Sequence, residues 1–246
     1  MGISAIGSSL GLLALVSAST VAQAGVRVIH ASPNTSPVDV YVNELPDGTP
    51  AIGGLQFTQA TGYVPLSTGN YDFRVTLAGQ NGVALSATGV QIEGNVDYTV
   101  AAIGFTATIA PLLLVDNNSA PAAGKAKVRF VHAAPDVPQV DIGINSNGSN
   151  AGTLFATTTF GNAADEGYIE VDAGTYNLGV FLSSNGGLAL PVNGVNLVAG
   201  QVYSVFALGS LAQGNVQAAI YSDPIPAPGA AAMLGLAGLF AARRRR

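Results

Sequence analysis

The chain has only two histidines, His30 and His132, and each stands in a cluster of polar residues that could support acid–base chemistry. The first cluster also holds Ser32 and Asp39, so a serine–histidine–aspartate hydrolase is one hypothesis, with histidine as the general base. The second cluster has Ala134 in place of the serine, and no nucleophile-elbow motif accompanies either one. Alternation along the strands puts both imidazoles on an apolar face, where we expect each to bond a carbonyl of the following loop. We therefore predict no catalytic residue and no enzyme.

Carboxylates offer the alternative of a calcium site. Asp136 with Asp141, or Asp165 and Glu166 with Asp172, could supply oxygen ligands. Their spacing resembles neither an EF-hand nor a repeat calcium loop, which favours solvated loop carboxylates. The absence of cysteine excludes disulfides and thiolate metal sites. We predict no metal and no cofactor.

These clusters belong to a repeat that organises the chain. The stretch VRVIHASPNTSPVDVYVN at 26–43 returns as VRFVHAAPDVPQVDIGIN at 128–145, a constant offset of 102 residues. Each copy predicts two strands around a turn, paired as a hairpin with its valines facing a core and its arginine and aspartate facing outward. We interpret the recurring polar and proline residues as structural; they are Arg27, His30, Pro33, Asp39, Arg129, His132, Pro135 and Asp141.

The similarity continues to the ends of both copies. Residues 63–77 match residues 168–182 at an offset of 105, and Tyr71 and Tyr176 stand where a Greek-key sandwich has its tyrosine corner. About seven short strands per copy predict an all-β chain of two tandem immunoglobulin-like Greek-key β-sandwich domains. We place them at residues 25–116 and 125–223, with residues 117–124 as a linker that holds the modules end to end.

The charge and the aromatic content of the chain limit the classes of ligand that it can bind. Removing the four terminal arginines takes the formal charge from −5 to −9, which excludes nucleic acid as a partner. There is no tryptophan to serve as a sugar platform, and Tyr41 is the best candidate for an outward aromatic ring, with Gly143 at its place in the second copy.

Both ends of the chain carry targeting features. Residues 1–24 combine an apolar run with Ala22-Gln23-Ala24, which is typical of a secretory signal peptide and its cleavage site. Residues 224–246 contain a proline motif, an apolar stretch long enough to cross a bilayer as a helix, and an arginine run expected to stay cytoplasmic. We interpret this tail as a sorting signal, with a permanent single-span anchor as the alternative; its motif residues are Pro224, Pro226, Pro228, Gly229, Arg243, Arg244, Arg245 and Arg246.

The signature V-R-V-x-H-A-S-P-x-x-x-x-V-D-V-Y-V-N resembles domain-of-unknown-function family 4397, over roughly residues 25–223. That resemblance implies a bacterial surface module that occurs in tandem and folds as an immunoglobulin-like sandwich, and it implies no activity. The tail resembles the PEP-CTERM type of sorting signal, although Ala227 stands where that motif often has glutamate. This second resemblance implies cleavage by a membrane-embedded exosortase.

These features together predict a non-enzymatic, exported protein of the cell surface or extracellular matrix, with a structural or adhesive role. Its expected partners are signal peptidase and the export machinery, an exosortase-like enzyme and, transiently or permanently, the cytoplasmic membrane. The alternative is a binding module that recognises a polysaccharide or another surface ligand through the sandwich loops.

Overall fold

The structure is a computed structural model that describes residues 22–225, except for the side chains of residues 164–166. The described part contains sixteen β-strands and one 3₁₀ turn, Thr106–Thr108. The chain forms strands because it is rich in residues that favour β-structure and because its apolar side chains alternate with period two, which buries one face of each strand. The all-β, two-sandwich prediction is confirmed.

The first sandwich contains eight strands in two four-stranded sheets. Its strands are β1 Gln23–His30, β2 Val38–Val42, β3 Ile52–Leu55, β4 Val64–Ser67, β5 Gly69–Leu77, β6 Val83–Ile92, β7 Asp97–Ile103 and β8 Ala110–Asp116. One sheet has the order β4-β1-β7-β8 and the other the order β3-β2-β5-β6. The count exceeds the seven expected because the short strand β4 is separate from β5, with only Thr68 between them.

The second sandwich repeats this arrangement strand for strand. Its strands are β9 Lys125–His132, β10 Val140–Ser146, β11 Ser149–Thr158, β12 Ala163–Asp172, β13 Gly174–Leu182, β14 Leu188–Leu197, β15 Val202–Leu208 and β16 Gln217–Asp223. The sheet orders are β12-β9-β15-β16 and β11-β10-β13-β14. In both sandwiches the first strand pairs in parallel with the seventh.

The hairpin predicted for each signature stretch is wrong. β1 pairs with β4 and β7, whereas β2 pairs with β3 and β5 in the opposite sheet. The connection at residues 31–37 therefore crosses from one sheet to the other. Alternation of side chains fits both arrangements, because two strands that share a core show the same pattern whether they lie in one sheet or face each other.

The two sandwiches pack face to face, which corrects the expected end-to-end arrangement. A hydrophobic cluster joins them, with Ile29, Ala101 and Leu114 from the first sandwich and Val131 and Phe206 from the second. The linker is held along the second sandwich, where the Nζ of Lys127 donates to the carbonyl and hydroxyl of Ser119, each at 2.7 Å. The sheets β4-β1-β7-β8 and β12-β9-β15-β16 thus each have a core on both faces.

Candidate functional site

The two signature arginines lie at the centre of the interface between the sandwiches. Arg27 and Arg129 are each only 2 % exposed, so the prediction that they face outward to solvent is wrong. They do point away from the core of their own sandwich, as alternation requires, but the other sandwich covers that face. Their neighbours on the same face, Ile29 and Val131, are fully buried in the cluster that joins the sandwiches.

Arg27 on β1 forms an ion pair with the last strand of the second sandwich. Its Nη1 donates to Oδ1 of Asp223 at 2.6 Å, and both side chains are almost completely buried. Its Nε and Nη2 donate to the hydroxyl of Thr99 on β7, at 3.2 and 2.9 Å. Three of the five guanidinium N–H groups are therefore accounted for by these bonds, and the charge is balanced by a carboxylate.

Arg129 on β9 makes the reciprocal contacts. Its Nη2 donates to Oδ1 of Asp116 at 2.5 Å, its Nε to the hydroxyl of Ser204 at 3.0 Å, and its Nη1 to the carbonyl of Val115 at 3.2 Å. The arginine of each sandwich thus pairs with the aspartate that ends the other. The interface has approximate two-fold symmetry in its residue types and bonds.

Two tyrosines that match in the repeat cover the network. The ring of Tyr63 lies 4.9 Å from the guanidinium carbon of Arg27, and that of Tyr168 lies 4.8 Å from that of Arg129. Their hydroxyls donate to the aspartates, Tyr63 to Asp116 at 2.6 Å and Tyr168 to Asp223 at 3.0 Å. Each tyrosine therefore contacts the arginine of its own sandwich and bonds an aspartate of the network.

Burial and nearby charges shift the pKa of the tyrosines in the network and of Arg27. Desolvation raises the pKa of Tyr63 and Tyr168 well above the ordinary value, and the charge of Asp116 adds to the effect at Tyr63. Desolvation also raises the pKa of Tyr221, a neighbour of Arg27, to about 12. Desolvation opposes the charge of Arg27, but the attraction of Asp223 and further anionic neighbours raises its pKa overall. The network is therefore a closed set of two cations and two anions, suited to holding two sheets in register.

The histidines fix the loops that cross between the sheets. His30 is fully buried; its Nδ1 accepts from the backbone N–H of Ser32 at 3.3 Å, so its Nε2 donates to the carbonyl of Ser36 at 3.2 Å. His132 bonds Ala134 and Pro138 in the same way. Desolvation lowers the pKa of both imidazoles, although their bonds to the carbonyls partly oppose the shift.

Ser32, His30 and Asp39 are not arranged as a catalytic triad. The hydroxyl of Ser32 donates to the carbonyl of Gly104 at 2.6 Å and does not bond to His30. The carboxylate of Asp39 accepts from the backbone N–H groups of Gly54 and Gly79, at 2.7 and 2.9 Å. The three side chains therefore do not form the chain of bonds that nucleophile activation needs.

The signature aspartates have matching structural contacts. Asp39 joins β2 to β3 and to the turn after β5. Asp141 accepts from the N–H of Thr157 at 2.7 Å and from the hydroxyl of Ser183 at 2.9 Å. Each carboxylate thus binds groups that the strand ladder leaves unpaired.

The carboxylates of Asp136 and Asp141, the first pair considered as calcium ligands, bond to different parts of the second sandwich. Asp136 accepts from the hydroxyl of Ser210 and from two backbone N–H groups, of Leu211 and Ala212. Desolvation opposes its ionisation, but these bonds lower its pKa below the ordinary value. Asp172 forms an ion pair with Lys125.

Among the described residues, no group of three or more candidate ligands is placed to hold a metal ion. The side chains of Asp165 and Glu166 lie outside that description.

Tyr41 is not the outward ring expected from the sequence. It is only 4 % exposed, so its face is not available to a sugar. At the matching position, a Cβ on Gly143 would lie 2.2 Å from the side chain of Asn150. Asn150 therefore occupies the space that the missing side chain leaves, and this part of the second sandwich is covered.

The remaining signature residues lie in turns. The hydroxyl of Tyr71 donates back to the backbone carbonyl of Ser67 at 2.9 Å, and that of Tyr176 donates to the backbone carbonyl of Asp172 at 2.7 Å. Pro33 and Pro135 are half-buried in the loops that the histidines bind. All of these residues hold connections between strands in place.

Sequence reasoning missed most of the ionic network. Thr99 and Ser204 match at the offset of 105, and Asp116 and Asp223 each end the last strand of a copy. With only 9 % charged residues, an acid recurring at the end of both copies was a usable signal. The arginine that pairs with each aspartate could not be found in this way, since it belongs to the other copy of the repeat.

The targeting features lie mostly outside the described residues. Nearly all of the predicted signal peptide does, as do Pro226, Pro228, Gly229 and the arginines 243–246. β1 already begins at Gln23, and Ala24 is 1 % exposed, so the predicted cleavage point after Ala24 falls within a strand. Within residues 22–225, no helix is long and apolar enough to span a membrane.

Solved structures with some similarity to the chain include three bacterial proteins. A candidate cell adhesion protein from Bacteroides uniformis is 12 % identical, with 82 % of this chain and 99 % of that chain covered and a TM-score of 0.27. A family 26 carbohydrate-binding module from Eubacterium rectale, in complex with maltoheptaose, is 12 % identical, with 84 % and 98 % covered and a TM-score of 0.26. A streptococcal virulence factor that binds α-glucan is 10 % identical, with 78 % and 95 % covered and a TM-score of 0.25. Similarity this distant carries no argument about function.

Similarity at the level of sequence is limited to part of the chain. No curated protein matches the chain. One family, described as a domain of unknown function, DUF4397, matches residues 24–143. The match covers the first sandwich, the linker and the signature stretch of the second sandwich as far as Gly143.

Proposed function

We propose that the chain is a non-enzymatic, exported protein of the cell surface or extracellular matrix, with a structural or adhesive role. The observation that carries the proposal is the buried network of Arg27, Arg129, Asp116 and Asp223, which joins the two sandwiches into one body. A flexible pair of modules would need no such interface, whereas a spacer or scaffold benefits from one.

The predicted leader and tail support export. We propose that signal peptidase removes the leader and that an exosortase-like enzyme cuts the tail near its proline motif at residues 224–229, with a permanent membrane anchor as the alternative. The polar side chains of the signature are bonded within the fold, which supports a role without catalysis.

The test is to fractionate the native host and to measure the intact mass of the protein in the membrane and extracellular fractions. A mass without the leader and without the segment after about Pro228, found outside the membrane, is the expected result. A protein found only in the cytoplasm would overturn the proposal. The same mass shows whether Gln23 and Ala24, the first residues of β1, survive processing.

Polysaccharide binding is the competing function, and a glycan panel separates the two. Saturable affinity for a native polysaccharide that free polysaccharide competes away would favour a binding module. The burial of Tyr41 removes the aromatic ring that the sequence offered for that role.

A further inference from the structure

The last strand of the second sandwich, β16, has an outer edge that pairs with no other strand of the described residues. Along a strand, successive residues direct their N–H and C=O groups to opposite sides. The carbonyl of Ala207 on β15 bonds to Ala133, which follows β9, so the next residue along β15, Leu208, directs its groups to β16. Since Leu208 pairs with Gln217, the residues Ala218, Ile220 and Ser222 direct their groups away from the sheet.

Within residues 22–225, the outward row of β16 itself carries none of the protections that edge strands usually have, and the first proline, Pro224, comes only after the strand. The outward backbone groups of Ala218, Ile220 and Ser222 have no hydrogen-bond partner within residues 22–225. β16 pairs with β15 over seven consecutive residues without a bulge, and the outward row contains neither proline nor charge. At about 3.4 Å per residue the row is about 14 Å long.

The corresponding edge of β8 is partly blocked. Its outward row is Pro111, Leu113 and Val115, by the same alternation. Pro111 has no N–H to donate, and the carbonyl of Val115 already accepts from Nη1 of Arg129. Despite the repeat, only β16 of these two strands presents a continuous row of free backbone groups.

A groove of ≈ 570 Å³ runs beside β16. Ile220, Tyr221, Ser222 and, just after the strand, Pro224 line one side, and residues 60–63 of the first sandwich line the other. Arg27 lies at its base, and Asp223 already neutralises that charge. The groove is the open end of the interface between the sandwiches, and among the described residues that line it no exposed side chain carries a charge.

We propose that this groove binds an extended, uncharged peptide segment of a partner protein, which adds to β16 as a fifth strand. The backbone of Ile220 and Ser222 would supply donors and acceptors at the spacing of a strand. The neutral lining offers a charged peptide no counterion, and the acidic chain repels acidic segments. A neutral sugar fits less well, because the hydroxyls of Tyr63 and Tyr221 are already bonded within the fold. The proposal concerns β16 alone and does not depend on export.

The test uses the full-length protein in mild detergent with a fluorescein-labelled peptide, KKGTVSVSVT, whose lysines serve only for solubility. Fluorescence anisotropy gives the Kd, and hydrogen exchange gives the protection of individual amides. We expect saturable binding and slowed exchange at Ile220 and Ser222. A matched peptide with alternating prolines, KKGTPSPSPT, should not bind, because it lacks the N–H groups that pair with a strand.

Two variants keep the test decisive. Ile220→Pro removes an outward N–H but no ladder bond to β15, and Gly62→Phe places a ring in the groove, where a Cβ meets nothing within 4 Å. Each should weaken binding by about tenfold or more, which corresponds to 1.4 kcal/mol. Leu113→Pro, at the matching position on β8, should leave it unchanged.

The proposal is overturned if the peptide does not bind at up to about 1 mM, a Kd that corresponds to only −4.1 kcal/mol. Equal binding by the wild type and both groove variants would also overturn it. So would displacement of the peptide by neutral oligosaccharides, or a dimer that forms through β16 without peptide binding.

Discussion

The ionic network makes a quantitative prediction for Arg27→Met, which keeps most of the side-chain volume but removes the charge. The ion pair with Asp223 has side-chain exposures of 3 % and 0 %, so the carboxylate that remains is almost fully out of water. Removing one partner of a buried pair typically costs about 3–5 kcal/mol. Asp223 keeps its bonds from the hydroxyls of Ser204 and Tyr168, at 2.7 and 3.0 Å. We therefore expect the lower end of that range, about 3 kcal/mol.

The matched control is Arg74→Met. Arg74 pairs with Asp72 at 3.1 Å, but the two side chains are 20 % and 38 % exposed. Such a pair contributes about 0–1 kcal/mol, because water and salt screen it. The double variant Arg27→Met with Asp223→Leu should recover much of the loss, since no unpaired charge then stays buried.

Urea unfolding of the purified protein, followed by circular dichroism, gives the free energies. Because the network spans both sandwiches, we expect the wild type to unfold in one transition and Arg27→Met to shift its midpoint or to split it in two. If Arg27→Met costs no more than Arg74→Met, the network does not stabilise the interface and the reasoning is wrong.

Three further changes test the contacts within each sandwich. Burial lowers the folded-state pKa of His30 and His132, so their neutral forms stabilise the fold above the unfolded value of about 6.5. The urea midpoint should therefore fall as the pH drops below about 6.5, and replacing both histidines with asparagine should flatten that part of the profile. Asp39→Ala removes two partly buried hydrogen bonds, from the N–H groups of Gly54 and Gly79, and should cost about 1–3 kcal/mol, whereas an unchanged midpoint would contradict the role given to this carboxylate. Tyr71→Phe removes one partly exposed bond and should cost about 1 kcal/mol in the same assay; a loss several times larger would mean that the ring packing, rather than the hydroxyl, holds the turn.

Alternation and repetition were enough to predict the class of fold. The period-two pattern of Tyr71, Phe73 and Val75 identifies strand β5, and the same pattern at Tyr176 identifies β13. Pairing was not predictable from the same pattern. Val28 and Val40 face one core from opposite sheets, and alternation alone fits equally well if they share a hairpin.

The arginines show a second limit of sequence reasoning. Their parity correctly puts Arg27 and Arg129 on the face opposite the valines. Parity says nothing about what covers that face, and charge favours solvent unless a partner is present. The partners are distant in sequence, since Arg27 and Asp223 are separated by 196 residues. A pattern that is local in the chain could not connect them.

The exchange of partners between the copies has a consequence for how the chain folds. Neither arginine has its bonded aspartate in its own sandwich, since Arg27 needs Asp223 and Arg129 needs Asp116. Forming one sandwich alone would leave its arginine face uncovered, with the residues around Ile29 or Val131 exposed as well. The sheets β4-β1-β7-β8 and β12-β9-β15-β16 therefore reach full burial only together, and the interface belongs to the folding unit.

The same pairing makes the outer edges of β8 and β16 different, because Arg129 also donates to the carbonyl of Val115 on β8. The edge of β16 has no such contact within the described residues, so these two matching strands differ in how far their outer edges are free.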